Sequence, residues 1–251
     1  RADYNGSLGS DGTKPGDSRV KQSLPTLRYL IKENCRIIIC SHLGRPEGRT
    51  NTAFSLKPVA KLLSKLLDKE VQLASNCIGP EVETLAKSLE PGQILMLENL
   101  RFHPEEEAND DNFAAKLANL ADVFVQDGFG VVHRAHASTA AVTKHLPSVS
   151  GLLLEREVDT ITDALAEPKR PFVALVGGAK ISDKIEVLHK FIEIADFVAV
   201  GGAMANTFLL ADGIEVGKSL VEKDELPLAR QILAAARQKA QKGLQNLQEQ
   251  K

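Results

Sequence analysis

The chain has 251 residues, 43% of them hydrophobic, enough to bury a real core in one large domain or two smaller ones, and two are expected. Its 31 basic and 33 acidic side chains nearly cancel, so no global field favours nucleic acid or an anionic membrane, and any anion site must be local. The 3 cysteines, Cys35, Cys40 and Cys77, lack C-x-x-C spacing and read as buried free thiols of a reducing, cytoplasmic compartment; no apolar run nears the roughly 20 residues of a membrane span, and no signal peptide opens the chain.

Both ends read as cut. Arg1 falls in the tail of a strand, and a glutamine-rich helix stops at the other end. Asn5-Gly6-Ser7 matches a glycosylation acceptor, a chance match without a secretory route. Strands are expected at 36–40, 71–74, 93–97 and 122–125, and helices at 56–67, behind Ser55 as N-cap, and at 112–120, behind Asn109, Asp110 and Asp111. Such alternation predicts βαβ units and a mostly parallel sheet covered on both faces. A helix over 155–165 then runs into Ala166-Glu167-Pro168-Lys169-Arg170-Pro171, whose prolines mark a boundary, giving units 1–167 and 168–251. Beyond it come strand 172–176, a glycine turn, helix 182–194, strand 197–200, a second glycine turn and helix 203–210. Two strands make a small parallel sheet with little core, so the second domain reads as incomplete.

In open parallel sheets ligands sit beyond the carboxyl ends of the strands, and those positions carry Ser41-His42-Leu43-Gly44-Arg45-Pro46, Glu98-Asn99-Leu100-Arg101-Phe102 and Asp127-Gly128-Phe129-Gly130-Val131-Val132-His133-Arg134-Ala135-His136. With Arg19, behind a Gly-Asp-Ser turn, four guanidinium groups could converge on one crevice, a density of charge that would repel itself without an anion. Each arginine alone would more often be a solvated or salt-bridged surface group; the repeated strand-end placement argues for the anion. Asp3 and Asn5 share a strand face and could hydrogen-bond a sugar-like hydroxyl or merely shape a turn. His133 and His136 lack a thiolate or acid at metal-ligand spacing, so supporting or packing roles are expected and no metal ligand is assigned. In the second unit Gly177-Gly178-Ala179-Lys180, a helix start near Ser182, and Lys184 place backbone N–H groups and two lysines where phosphate would bind, although glycines there also serve helix packing. Gly213-Ile214-Glu215-Val216-Gly217-Lys218-Ser219 looks like a P-loop, but its first glycine is one residue too close and it follows a helix.

Together Arg1-Ala2-Asp3-Tyr4-Asn5, Leu24-Pro25-Thr26, the histidine-glycine-arginine loop, Leu97-Glu98-Asn99-Leu100-Arg101-Phe102, His133-Arg134-Ala135-His136-Ala137-Ser138 and Gly177-Gly178-Ala179-Lys180 resemble, in order and spacing, the phosphoglycerate kinase family. The resemblance implies two Rossmann-like three-layer domains that close around the reaction, the second only begun here. It implies a cytoplasmic, monomeric glycolytic enzyme that moves a phosphoryl group reversibly between 1,3-bisphosphoglycerate and ADP, giving 3-phosphoglycerate and ATP, with Mg2+ on the nucleotide. Asp3, Asn5, Arg19, His42, Leu43, Gly44, Arg45, Arg101 and Arg134 would hold 3-phosphoglycerate. Gly178, Lys180, Lys184, Gly201 and Gly202 would meet the nucleotide, and Arg19 and Lys180 would neutralise the moving phosphoryl group.

Departures from the family pattern are small: Gly6-Ser7-Leu8 in place of Val-Pro-Leu, Gly128 in place of alanine, and Gly201-Gly202-Ala203 in place of three glycines. Larger is the lack of a Gly-Gly-Gly-Asp loop and an Asn-Gly-Pro segment before Lys251. Two other readings stand beside a kinase: a truncated module that binds phosphoglycerate without turnover, and a P-loop NTPase using Lys218.

Overall fold

The computed structural model describes residues 1–6 and 17–249. The chain forms two compact units, Arg1–Asp159 and Thr160–Lys251, dividing within a helix, whereas the proline pair of the sequence lies after Glu167. Unit 1 comprises α1 (Asp17–Lys32), β1 (Ile37–Ile39), α2 (Lys57–Leu67), β2 (Val71–Leu73), α3 (Pro80–Ser88), β3 (Ile94–Met96), α4 (Pro104–Glu107), α5 (Asp111–Ala118), β4 (Phe124–Gln126), β5 (Ser148–Ser150) and the start of α6 (Leu152–Ala166). All pairings are parallel, in the order β1-β3-β2 and, separately, β4-β5. The first two residues stitch the sheets together: Ala2 N–H donates to the Cys40 carbonyl, while Arg1 donates to the Val125 carbonyl and accepts from Asp127 N–H, the two-residue offset of a parallel rung.

The central strand shows why the layers form. Ile94 and Met96 point to one face with Ile37, Ile39 and Val71, where Val20 and Leu27 of α1 and Val59 and Leu63 of α2 cover them. Leu95 and Leu97 point to the other, against Val82 of α3 and Phe113 and Leu117 of α5. A strand apolar at every position is stable only when both faces are covered, and period-two alternation sends its residues to the two cores.

Several local expectations change. α1, α3 and β5 fall outside the predicted elements: α1 carries Pro25 in its middle, α3 opens on a glycine and a proline, and β5 is an exposed Ser-Val-Ser. Arg19 therefore lies in the first turn of α1 and not behind a turn; Gly16, with Ser7 and Leu8, lies outside the described residues. The α2 cap position is Leu56, with Ser55 Oγ still accepting from Lys57 N–H at 3.2 Å. α5 is capped by Asp110, which accepts from Phe113 N–H at 2.8 Å. β4 starts at Phe124, not Asp122, because pairing with β5 begins there. α6 begins at Leu152, ahead of the predicted start: Leu152 N–H donates to Thr26 Oγ1 at 3.0 Å and Leu153 N–H to Asp127 Oδ1 at 2.9 Å, caps brought from distant chain. Cys77 is buried as expected, but Cys35 and Cys40 are only half-buried, since both line a cavity of about 760 Å³ between β1, β4 and α1.

Unit 2 holds the second half of α6, β6 (Val173–Gly177), α7 (Ile185–Ile194), β7 (Phe197–Gly201), α8 (Ala203–Ala211) and α9 (Leu226–Glu249). β6 and β7 pair in parallel from Val173 and Phe197 to Gly177 and Gly201. The helix expected from Ser182 opens as a 3-10 turn, Ser182–Lys184, before α7. Val176, Ile181, Leu188, Met204, Phe208, Ala229 and Ile232 form its core, while the alternate β6 residues Val173 and Leu175 are exposed. Among the described residues no helix is long and apolar enough to cross a membrane.

Candidate anion-binding site

The loops that follow β1, β3 and β4 lie beyond the strands' carboxyl ends and are tied together by buried polar groups. Asn99, fully buried, donates from Nδ2 to the Leu43 and Phe54 carbonyls at 2.7 and 2.9 Å and accepts at Oδ1 from Leu43 N–H and Arg101 N–H. Arg101 donates from Nη1 to the Gly44 carbonyl at 2.9 Å and pairs with Glu107 at 2.9 Å. Gly44 N–H in turn donates to Asn5 Oδ1 at 2.9 Å, and Tyr4 N–H donates to Ser41 Oγ at 3.0 Å. Gly44 has φ +64, and a Cβ there would stand 2.4 Å from the Phe54 ring, so only glycine fits. Gly44→Ala is expected to destabilise unit 1 by about 1–3 kcal/mol, read as a lowered urea midpoint at unchanged m-value.

His42 is buried at the centre, with Nδ1 3.2 Å from Arg1 Nη2 and 4.0 Å from Asp3 Oδ1. Burial, then the charges of Arg1, Arg101 and Arg134 and the ring of His136, drive its pKa down to about 2, so the imidazole is neutral at physiological pH. The positive charge acting on His42 thus includes the guanidinium groups of Arg1, Arg101 and Arg134. Arg101 feels the same crowding: burial lowers its pKa, and Arg134 and Arg1 lower it further against the opposing pull of Glu107.

The predicted residues are placed unequally. Arg101 and Arg134 face His42 together with Arg1, which the sequence reading had not put in the site although it begins the Arg1-Ala2-Asp3 run at a strand end. The Nε of Arg134 is buried without a hydrogen-bond partner among the described residues, an orphaned donor of the kind a ligand satisfies. Arg19 is 46% exposed and pairs with Asp3, whose other oxygen accepts from Asn5 N–H at 3.2 Å. Asp3 and Asn5 thus already brace the loop. Arg45 is exposed, and among the described residues no hydrogen bond or ion pair engages it. His133 is exposed, while His136 Nδ1 stands 3.8 Å from Glu106; among the described residues no group of three or more His, Cys, Asp or Glu stands ready for a metal ion.

In unit 2 the two glycine turns lie side by side. Met204 N–H donates to the Gly178 carbonyl at 3.0 Å, and Gly202, at φ +73, has room for no side chain because a Cβ would lie 2.7 Å from that carbonyl. The Lys184 side chain folds over Gly178, whose own Cβ would come within 2.9 Å of Cε; Lys180 is exposed, and Gly201 pairs with Gly177. The helix start expected to face phosphate is engaged by Glu222, whose carboxylate accepts from Ile181 N–H and from Ser182 Oγ. The P-loop look-alike follows α8 and meets no α-helix until Leu226, which removes the geometry that fold needs.

Short open parallel sheets covered by helices define a Rossmann-like α/β protein, and the guanidinium cluster beyond the strands' carboxyl ends is its candidate anion site. The family model for phosphoglycerate kinase matches residues 1–246. The chain is 50% identical over 244 residues to the phosphoglycerate kinase of Moorella thermoacetica, across 97% of this chain and 62% of that protein, and 53% identical over 236 residues to that of Desulforudis audaxviator, across 94% and 60%. Its fold is similar to the solved phosphoglycerate kinase of Coxiella burnetii, with TM-score 0.80 and 42% identity over 95% of this chain and 60% of that one. The chain belongs to the phosphoglycerate kinase family. It spans about 60% of the length of these relatives.

Proposed function

We propose that unit 1 holds 3-phosphoglycerate, and that the chain serves a phosphoglycerate kinase reaction, reversible phosphoryl transfer between 1,3-bisphosphoglycerate and ADP. The observation that carries this is the meeting of Arg1, Arg101 and Arg134 around neutral His42, with the Arg134 Nε unpaired among the described residues. A molecule bearing both carboxylate and phosphate matches several guanidinium groups at once. In this reading residues 1–167 form the substrate domain and 168–251 the start of the nucleotide domain, where Lys180 and Lys184 meet the phosphates beside Gly178, Gly201 and Gly202.

The acceptor carboxylate is already ionised near neutral pH, so no general base is needed, and the protein's work is alignment and charge neutralisation. Arg1, Arg101 and Arg134 orient the substrate. Arg19, the most exposed of the paired arginines around the site, swings from Asp3 toward the transferred group; Lys180 is the residue of unit 2 assigned to charge neutralisation. Magnesium carried on the nucleotide supplies further positive charge when bound. Cytoplasmic, monomeric behaviour goes with this reading.

A second reading, a phosphoglycerate-binding module without turnover, is favoured by Arg1, Arg101 and Arg134 all lying in unit 1, which is compact by itself. Calorimetry with 3-phosphoglycerate and an assay coupled to ADP formation separate the two: binding with turnover supports the enzyme, binding alone the module, and no binding defeats both. Lys218→Ala is expected to leave nucleotide affinity unchanged within twofold by equilibrium dialysis, since the loop lacks a P-loop's strand and helix; a tenfold loss would revive the NTPase.

A further inference from the structure

Glu106 is a carboxylate with no solvent exposure, set in a site crowded with positive charge. Both of its oxygens are in use: Oε2 accepts from Ser138 N–H at 2.9 Å and Oε1 from Ser138 Oγ at 2.6 Å, while its main-chain carbonyl accepts from Ala137 N–H at 2.9 Å. Ser138 Oγ accepts in turn from Arg1 Nε at 2.8 Å. Oε1 also stands 3.9 Å from Arg1 Nη2 and 3.8 Å from His136 Nδ1. One buried side chain therefore reaches Arg1 through a hydroxyl relay and fixes the end of the 133–138 loop that carries Arg134. Burying a carboxylate is expensive unless it is paired and hydrogen-bonded, and here its partners belong to the anion site.

We propose that Glu106 is a positioning residue that holds Arg1 and the Arg134 loop in the geometry that binds the anion. This rests on the reading of unit 1 as the 3-phosphoglycerate site. Without Glu106 the guanidinium groups, which repel one another, would spread in the empty site, and the ligand would have to gather them at the expense of affinity.

Calorimetry on the full chain with 3-phosphoglycerate tests this through a double-mutant cycle. Glu106→Gln is expected to weaken binding about tenfold; combined with Arg134→Ala, the loss should fall well short of the product of the single effects, whereas with Arg45→Ala the effects multiply. A purely structural role would lower the melting temperature without this coupling. Unchanged affinity, or independent effects of Glu106 and Arg134, would overturn the proposal. A ligand-free readout runs beside it: in nitrogen-15 NMR the Arg1 Nε–H should be protected from solvent exchange and lose that protection in Glu106→Gln, while the Arg101 signal stays unchanged. If the unaltered chain binds no 3-phosphoglycerate, the functional reading fails, and the Arg1 signal alone decides the role of Glu106, retained protection counting against it. If Glu106→Gln does not fold, Ser138→Ala removes the relay instead, with a loss of about threefold or more and the same NMR change expected; no change in either overturns the proposal.

Discussion

Arg134→Ala should weaken 3-phosphoglycerate binding about a hundredfold while leaving the melting temperature unchanged or slightly raised. The side chain sits among like charges and its Nε has no partner among the described residues, so in the empty site it contributes repulsion and an unsatisfied donor. On the proposed function the same groups would form charge-assisted hydrogen bonds to the ligand in a partly desolvated crevice, where removing one partner costs about 2–5 kcal/mol. The loss should appear in Kd measured by calorimetry. Arg19→Ala should behave differently, lowering turnover of an active enzyme more than affinity, because Arg19 is held by Asp3 at the rim. A Kd for Arg134→Ala within twofold of the parent value would remove that residue from the site.

The second large effect is a loss of stability in mild acid. The folded-state pKa of His42 is about 2, far below the ordinary value of 6.5, with burial as the main cause. Below pH 6.5 the unfolded chain takes up a proton that the folded chain refuses, so stability falls as pH drops from 6.5 toward 2, by up to about 1.4 kcal/mol per pH unit from this group. By pH 5 the expected loss is about 2 kcal/mol. His103 and His136 are shifted down as well, mainly by burial, and add to it with the same sign. Asp127, whose carboxyl is pushed up by burial, acts in the opposite sense, but only near the carboxylate range.

Urea denaturation at pH 7 and pH 5 reads this directly. The chain has 2 tyrosines and 0 tryptophans. Since Tyr4 and Tyr29 both lie in unit 1, tyrosine fluorescence follows that unit alone. His42→Gln should reduce the pH dependence. A variant that keeps the full slope would show that the titration belongs to other groups.

Much of this was legible in the sequence. The 94–96 strand, apolar at every position, announces a covered parallel sheet, and the glycine-punctuated run from Val173 to Ala211 announces two βα units, because strand and helix periods are local properties of the chain. The motifs at the strand ends put Arg101 after β3 and Arg134 after β4, beyond the carboxyl ends of parallel strands, since parallel topology sends such loops the same way. Less visible were α1, whose central proline breaks the expected pattern, and the start of α6, whose caps come from Thr26 and Asp127.

What the sequence determined by itself is the alternation of elements and the supply of arginines, both written in residue type and spacing. Only the tertiary structure decided which charges meet. Arg1 enters the site, Arg45 stays in solvent, His42 loses its proton, and Glu222 takes the helix start that had looked like a phosphate seat. Burial and Coulomb interaction act between residues up to 137 positions apart, as between Arg1 and Ser138, and no local pattern carries that information.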